Sequence, residues 1–164
     1  MSRTYLVFAI DPALHATGYA WQVIQGRVAV GDSGAADVYS GAVDKLGELL
    51  DQQGVAKAFV FIERSRAPFR RYASAAGVAS AVAQLIRKRH PRRTKITMVE
   101  PAHWMEGLTK NMPGATTKER TRNYLVQVLK YNKGRVERMS DDESDAVALC
   151  EYGRIMLRRE KVLP

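Results

Sequence analysis

Cysteine and long apolar segments are the two features that this sequence has least of. Its 164 residues include one cysteine, Cys150, which excludes a disulfide within the chain and is typical of proteins in a reducing compartment. No apolar run approaches the roughly 18 residues that a membrane-spanning helix needs. The first residues, MSRTYLVFAID, lack the long apolar stretch and the small-residue cleavage site of a secretory signal. These absences predict a cytoplasmic protein that is not associated with a membrane.

Acidic residues are also few compared with basic ones. The chain has 26 lysines and arginines against 17 aspartates and glutamates, which gives a net charge of +9. The basic residues cluster at 64–71, 87–95, 118–122 and 158–161. Such a density on a small protein favours a polyanionic partner, most often nucleic acid. The alternative is a small basic protein that has no nucleic-acid role.

The sequence has no repeats, linkers or low-complexity segments, so residues 1–164 are predicted to form a single α/β domain. Apolar or β-branched runs predict strands at 5–10, 19–24, 27–32, 56–62 and 96–99, with a hairpin turn at Gln25 and Gly26. Helical spacing predicts helices at 41–52, 70–89 and 117–131, and a last helix from Ser140. A loop that contains Gly107, Pro113 and Gly114 is predicted before the third helix.

Two of the predicted strands end in a carboxylate. The run VFAI is followed by Asp11, and the run AKAFVFI is followed by Glu63. Ligand sites in open α/β sheets form beyond the carboxyl ends of the strands. If these two strands are parallel neighbours, Asp11 and Glu63 project into the same crevice. Either acid alone is equally well explained as a solvated loop residue, and their joint occurrence favours a site.

A third acidic stretch, SDDESDAVALC, begins the last helix. Ser140 and Glu143 have the spacing of a capping box, which predicts that the helix starts there. At about 100° per residue, Asp142 and Asp145 lie on the same face as the apolar Leu149. Acids in a first turn also interact favourably with the helix dipole, which is a sufficient explanation for Asp142. That explanation does not extend to Asp145, one turn into the helix.

Four carboxylates gathered in one place require cations. Two unit charges 4 Å apart repel each other by roughly 4 kcal/mol at an effective dielectric of 20. Ligands that are all oxygen atoms suit hard ions such as Mg²⁺ or Mn²⁺. An acidic site within a basic surface fits phosphodiester chemistry, in which lysines and arginines hold the backbone and metal ions act on the scissile phosphate.

Three segments together resemble the RuvC-type Holliday-junction resolvases. AIDPALHATGYA is similar to the family's first-strand signature, FIE to its strand-end glutamate, and DESDAVALC to its closing helix. Their order and approximate spacing agree across almost the whole chain. The resemblance implies a ribonuclease H-like fold, which is a mixed five-stranded sheet flanked by helices. It also implies a homodimer with two active sites, arranged for a two-fold-related pair of cuts in a four-way junction.

The resemblance also implies roles for individual residues. Four carboxylates match the family's metal ligands, which are Asp11, Glu63, Asp142 and Asp145. We expect two Mg²⁺ ions per active site, with Mn²⁺ able to substitute; Asp11 bridges them, Asp142 and Asp145 bind one, and Glu63 binds the other. Lys118 is similarly placed to a family lysine near the scissile phosphate, where it would stabilise charge in the transition state. The alternative for Lys118 is a solvated lysine at a helix start.

The segment after Glu63 departs from the family pattern, because the aromatic residue that commonly follows the glutamate stands further along, at Phe69. Phe69 either stacks on bases at the junction centre or anchors the next helix in the core. The residues predicted to contact DNA are Arg64, Arg66, Phe69, Arg70, Arg71 and Lys118. The sequence leaves a contribution of His15 to the site open. Cys150, Trp21 and Trp104 are interpreted as packing or interface residues.

These observations predict a metal-dependent, structure-selective DNA endonuclease that resolves four-way junctions by paired, symmetric phosphodiester hydrolysis. A bacterial and a phage origin are both compatible with the sequence. Within the same fold, the alternative is a less selective nuclease that cuts branched DNA or RNA. An actin-like nucleotide-binding phosphotransferase would need a second phosphate loop, which the sequence lacks. A DNA-binding module without catalysis would not need four carboxylates.

Overall fold

The chain folds around one twisted sheet with helices on both of its faces. A computed structural model describes residues 3–13, 16–52, 54–64 and 73–164. The strands of this part of the chain are β1 (Thr4–Pro12), β2 (Thr17–Gln25), β3 (Val28–Ala36), β4 (Lys57–Glu63) and β5 (Thr94–Val99). The helices are α1 (Tyr39–Gln52), α2 (Ala73–Arg89), α3 (Pro101–Leu108), α4 (Thr117–Gln127), α5 (Lys133–Arg138) and α6 (Asp141–Arg159).

The strands form a mixed sheet in the order β3-β2-β1-β4-β5. β1, β2 and β3 form an antiparallel meander, whereas β4 runs parallel to β1 and β5 runs parallel to β4. The predicted fold class, a mixed five-stranded sheet flanked by helices, is confirmed. In the register between β1 and β4, Ile10 pairs with Ile62, so the two strands end side by side.

Alternate residues of the central strands enter two separate cores. In β1, Leu6, Phe8 and Ile10 belong to the core under α1 and α2. Val7 and Ala9 belong to the other core, which α6 covers. β4 divides its residues in the same way. Side chains alternate between the two faces of a strand. Asp11 and Glu63 stand two positions after Ala9 and Phe61, at the ends of β1 and β4, so their side chains point to the α6 side.

Helix α6 lies directly against the sheet, and glycine makes part of this contact possible. A Cβ atom on Gly153 would lie 2.5 Å from ring carbons of Phe61, closer than any ordinary contact. The interior of α6 is buried over Val147, Ala148 and Leu149. The helix therefore has a fixed position, mainly over β1 and β2 and with a smaller contact to β4, and its first turn lies at the end of the sheet where β1 stops and β2 begins.

The segment after β5 differs from the prediction. The loop expected around Gly107 is partly the helix α3, which starts with Pro101 at its first turn. Proline at the first helical position is favourable because its missing N–H is not needed there. The helix predicted at 117–131 ends at Gln127, and Lys130 then adopts a left-handed backbone (φ 61°) before α5 begins.

The remaining predicted elements are present with small shifts of their ends. The β2–β3 hairpin turns at Gly26, whose φ of 61° favours glycine. The helix predicted at 70–89 is described from Ala73 onwards. Within the described residues, no helix combines the length and the apolarity that crossing a membrane requires.

Candidate functional site

Asp11 and Glu63 lie at the adjacent ends of β1 and β4, on the side of the sheet that α6 covers. Each follows the last core residue of its strand, Ile10 and Ile62, which are opposite each other. Asp11 is only 8% exposed, although it is a charged residue at a strand end. Glu63 is partly buried. The structure therefore brings together the two strand-end carboxylates as the sequence predicted.

The first turn of α6 brings two further carboxylates to the same edge. The Ser140 hydroxyl caps the helix by accepting a hydrogen bond from the Glu143 N–H at 3.0 Å. Across the sheet, Gly18 pairs with Asp11. A Cβ atom on Gly18 would lie 2.0 Å from the carbonyl oxygen of Asp142. The absence of a side chain at Gly18 therefore allows the α6 backbone to approach within van der Waals distance of the strand beside Asp11.

The pKa values of these carboxylates show that their charges repel one another. Burial raises the pKa of Asp11 well above its usual range, and the charges of Glu63, Asp145 and Asp142 raise it further. Burial also raises the pKa of Glu63 to about 7. A hydrogen bond from Trp104 lowers this pKa in part, and the charges of Asp145 and Asp142 raise it. The four acids thus form one electrostatic unit that disfavours its own full ionisation.

The two acids of α6 are affected in the same direction. Burial raises the pKa of Asp145 to about 6, partly offset by a hydrogen bond from Thr121, and Asp141 and Asp142 add repulsion. Burial is also the main cause of the raised pKa of Asp142. Thr121 is fully buried in α4, and its hydroxyl also lies 3.1 Å from the carbonyl oxygen of Thr117. Thr121 therefore joins helix α4 to the four carboxylates. We call the end of the sheet that carries Asp11, Glu63, Asp142 and Asp145 the acidic edge.

The donor set of the four acids fits a hard divalent cation. Across the described ranges, no three histidine, cysteine, aspartate or glutamate side chains form a closed ligand set for one ion. A group that consists of carboxylate oxygens alone is the ligand chemistry of Mg²⁺ and Mn²⁺. The residues present therefore fit such an ion.

Trp104 belongs to this site, which the sequence interpretation did not anticipate. The expectation of a core residue is correct, because the side chain is 0% exposed. Its indole Nε1 also donates a hydrogen bond to Glu63 Oε2 at 2.7 Å. A buried indole N–H needs an acceptor, and this one fixes an oxygen of Glu63. Pro101, read as the start of α3, would have placed Trp104 one turn into a helix beside the end of β5.

Lys118 lies beside the acidic edge and forms an ion pair with Asp141. It follows the cap of α4, where Thr116 and Glu119 form a reciprocal capping box. The positive charge of Lys118 offsets part of the rise in the pKa values of Asp142 and Asp145. Its side chain is 65% exposed, which leaves it accessible from solvent. Lys118 is thus near the acids, as the resemblance implied, and it has a partner that the sequence analysis did not predict.

The residues predicted to contact DNA after Glu63 are only partly described. Arg64 is exposed, and its backbone N–H donates to the Val99 carbonyl at 2.8 Å. The others lie outside the described residues, as does His15; they are Arg66, Phe69, Arg70 and Arg71. Cys150 is buried against the Val7 carbonyl, which agrees with its interpretation as a packing residue.

The raised pKa values lead to a testable pH dependence of stability in the metal-free protein. The pKa of Glu63 rises from 4.5 to about 7 and that of Asp145 from 3.8 to about 6, so the folded state binds more protons than the unfolded state between about pH 4 and pH 7. These two groups therefore destabilise the fold increasingly as the pH rises through that window. A Glu63→Gln/Asp145→Asn variant lacks this effect.

In EDTA, the stability advantage of that double variant over the wild type is expected to be small at pH 4 and to grow towards pH 7.5. Urea denaturation at a series of pH values measures it. An advantage that stays constant across this range would contradict the origin assigned to the two pKa shifts. Saturating Mg²⁺ should reduce the advantage at pH 7.5, because a bound cation stabilises the ionised wild-type carboxylates.

Comparisons with known proteins support the fold. The sequence matches no protein-family model, and it matches no curated protein. Its structure is similar to that of T. thermophilus RuvC, solved in complex with a Holliday junction substrate, with a TM-score of 0.64 and 14% sequence identity. The match covers 96% of this chain and 97% of that chain.

Two other solved structures match over smaller parts of their chains, with TM-scores below 0.5. YeaZ from Pseudomonas aeruginosa (TM-score 0.40, 16% identity) is matched over 65% of this chain and 46% of its own. An Aquifex aeolicus member of the Ppx/GppA family (TM-score 0.38, 8% identity) is matched over 65% of this chain and 38% of its own. The similarity to T. thermophilus RuvC over almost the whole chain shows that the chain has a RuvC-like fold of the ribonuclease H-like class.

Proposed function

We propose that this protein is a metal-dependent endonuclease that cuts four-way DNA junctions. The observation that carries the proposal is the convergence of four carboxylates from three separate elements at one end of the sheet, where burial raises the pKa of each of them and repulsion between them adds to the rise for Asp11, Glu63 and Asp145. Support comes from the fold, which is similar to that of a protein solved with a Holliday junction substrate. Further support comes from the net charge of +9, which suits a polyanionic substrate.

The metal ligands in this proposal are Asp11, Glu63, Asp142 and Asp145. Mg²⁺ is the expected ion, two per active site, with Mn²⁺ able to replace it. When bound, the ions supply an activated water and neutralise the charge that develops on the scissile phosphate. The protein's own residues orient the carboxylates: Trp104 holds one oxygen of Glu63, and the packing of α6 on Gly18 fixes the position of Asp142.

The basic residues around the acidic edge hold the DNA backbone. Lys118 lies within electrostatic reach of Asp142 and Asp145, so it is well placed to bind a phosphate next to the metal ligands. Arg64 is exposed directly after Glu63 and is a second candidate for such a contact. Resolution of a four-way junction needs two cuts related by symmetry, so we propose that the active form is a homodimer in the cytoplasm of a bacterial or phage-infected cell.

A panel of DNA substrates tests the proposal. Purified protein with Mg²⁺ is expected to cut four-way junctions at least ten times faster than three-way, flap and linear duplex substrates, and to leave ends that a ligase can seal. Comparable rates on linear duplex would instead indicate a less selective nuclease. Comparable rates on RNA would point to a ribonuclease of the same fold.

An Asp145→Asn variant separates catalysis from binding. Cleavage is expected to fall below detection while affinity for the junction is retained, because the substitution removes a metal ligand and leaves the basic surface unchanged. Glu160→Gln, at the other end of α6, is the matched control and should cut at the wild-type rate. Full cleavage by Asp145→Asn would show that the metal-binding site is assigned incorrectly.

Trp104→Phe is expected to raise the Mg²⁺ concentration needed for half-maximal cleavage several-fold, with a smaller change in the rate at saturating Mg²⁺. The variant keeps an aromatic ring in the core but leaves Glu63 Oε2 without its donor. An oxygen that is no longer held must be ordered by the ion itself, which weakens metal binding. Trp104 is thus a positioning residue.

Trp21→Phe provides the matched control, because Trp21 packs against the core under α1 and α2 on the opposite face of the sheet. It should leave the Mg²⁺ requirement unchanged. An unchanged Mg²⁺ requirement in folded Trp104→Phe, established by its cooperative thermal unfolding, would contradict the positioning role.

A further inference from the structure

Two cations on one face of α4 share a single carboxylate. Lys118 and Arg122 are four residues apart, so they lie one above the other on the helix surface. Both form ion pairs with Asp141, the first residue of α6. Arg122 Nη2 is 3.1 Å from Asp141 Oδ1 and also 3.1 Å from the carbonyl oxygen of Met139. The Asp141 carboxylate therefore bridges the two cations.

The fold has little need of this bridge for its stability. The side chains of Lys118, Arg122 and Asp141 are 65%, 36% and 37% exposed. Exposed ion pairs contribute only about 0.2–1 kcal/mol each. The start of α6 is already capped by Ser140, which accepts from the Glu143 N–H. An acid at position 141 is therefore not required to begin the helix.

Asp141 also increases the repulsion at the acidic edge. Its charge raises the pKa of Asp142 and contributes to the raised pKa of Asp145. A fifth carboxylate beside this edge adds repulsion between negative charges. The ion pairs of Asp141 with Lys118 and Arg122 compensate for that repulsion. The same two cations lie next to the proposed metal ligands, where a DNA backbone must pass.

A phosphodiester has the same charge as a carboxylate and likewise offers two equivalent oxygens to paired donors. The Arg122 side chain is 36% exposed, so part of it can be reached by a ligand from solvent. The Met139 carbonyl holds one end of the guanidinium in place. Lys118 and Arg122 thus form a ready anion-binding pair whose present occupant is part of the protein.

We propose that Lys118 and Arg122 bind one backbone phosphate of the substrate, and that Asp141 occupies this phosphate site until DNA displaces it. The inference rests on the proposed function in that the phosphate belongs to the DNA that is cut. It assigns Arg122 as a DNA-binding residue and Asp141 as an internal competitor. Binding of DNA exchanges one anion for another at the same two cations.

Binding measurements without catalysis test this proposal. Fluorescence anisotropy with a labelled four-way junction, in EDTA, reports affinity at a series of salt concentrations. Asp141→Asn is expected to bind about 3- to 10-fold more tightly than the wild type, because two exposed ion pairs no longer compete with the phosphate. Arg122→Gln is expected to bind more weakly and to lower the slope of log affinity against log salt, by less than the roughly 0.9 of a whole phosphate contact because Lys118 remains on the same phosphate.

A second ion pair in the chain supplies matched controls. Arg93 and Asp51 form an exposed pair with a 3.1 Å separation at the opposite end of the sheet. Asp51→Asn makes the same change in net charge as Asp141→Asn and should tighten binding by less than twofold. Equal gains from the two substitutions would overturn the proposal, because the effect would then be one of overall charge.

The triple variant Lys118→Gln/Arg122→Gln/Asp141→Asn completes the test. The gain from Asp141→Asn should disappear when both cations are removed, and its persistence would also overturn the proposal. The inference stands independently of junction cleavage: if the wild type showed no preference for junctions, the same Arg122-dependent gain on linear duplex would still support a phosphate site. In that case the proposed junction selectivity alone would fail.

Discussion

Asp11→Asn is expected to abolish cleavage and, at the same time, to raise the melting temperature of the metal-free protein. Asp11 is the most buried of the four acids and the one repelled by all the others. Its replacement by a neutral amide of similar shape removes both the desolvation of a carboxylate and the repulsion. It also removes one of the proposed metal ligands, so cleavage should fall by about 10³-fold or more.

The expected rise in the melting temperature of Asp11→Asn can be given as a number. Relieving one unfavourable buried charge should contribute about 1–2 kcal/mol, which corresponds to about 3–6 °C in a chain of this length. Differential scanning fluorimetry in EDTA at pH 7.5 measures the shift. Addition of Mg²⁺ should stabilise the wild type more than the variant, because a ligand that binds the folded state shifts the unfolding equilibrium.

Asp44→Asn is the control for this experiment. Asp44 is 61% exposed and forms an ion pair with Arg89, away from the acidic edge. Its replacement should leave cleavage unchanged and should not raise the melting temperature. If Asp11→Asn lowered the melting temperature in EDTA, the carboxylates would not be the mutually repelling unit described above. Retained cleavage would exclude Asp11 as an essential metal ligand.

Gly18→Ala is expected to reduce cleavage by about 10²-fold while DNA binding is largely retained. The new Cβ would lie 2.0 Å from the carbonyl oxygen of Asp142 and 2.5 Å from the backbone nitrogen of Glu143. Backbone atoms cannot rotate away as a flexible side chain can, so the first turn of α6 must move. A displacement of about 1 Å in a catalytic group can cost two orders of magnitude in rate.

The same substitution should also lower the free energy of unfolding by about 1–3 kcal/mol, which is the usual cost of overpacking. Gly77→Ala is the matched control, because Gly77 lies within α2 with no atom within 4 Å of its added Cβ. There alanine should stabilise the helix by about 0.5–1 kcal/mol and leave cleavage unaffected. Wild-type cleavage by Gly18→Ala would show that the position of α6 tolerates a shift.

The elements that sequence analysis predicted well are those defined by local patterns. The apolar runs before Asp11 and Glu63 identified two central strands, and the Ser140 cap identified the start of α6. Asp11 and Glu63 were expected to lie in one crevice if their strands were parallel neighbours, and β1 and β4 are paired in parallel. The helix α3 was not predicted, because the segment before the third predicted helix was assigned to a loop on its glycines and Pro113, although Pro101 is well suited to begin a helix.

The contacts that sequence analysis could not predict join residues far apart in the chain. The Trp104–Glu63 hydrogen bond spans 41 residues, and the Lys118–Asp141 ion pair spans 23. No local period or spacing encodes such pairs, because they depend on where the sheet places α3 and α4. Asp141 lies in the first turn of α6, where its charge interacts favourably with the helix dipole, but no local pattern indicates its two cationic partners.

The division of the sheet into two cores affects how such a protein diverges. Within the described part of the chain, the core under α1 and α2 lies on the face of the sheet opposite to the four acids. Substitutions that exchange one apolar side chain for another there change stability by small amounts and leave the chemistry untouched. One half of the interior can therefore drift almost freely over evolutionary time. The similarity to T. thermophilus RuvC covers 96% of the chain at 14% identity, so largely different side chains form the same arrangement of strands and helices.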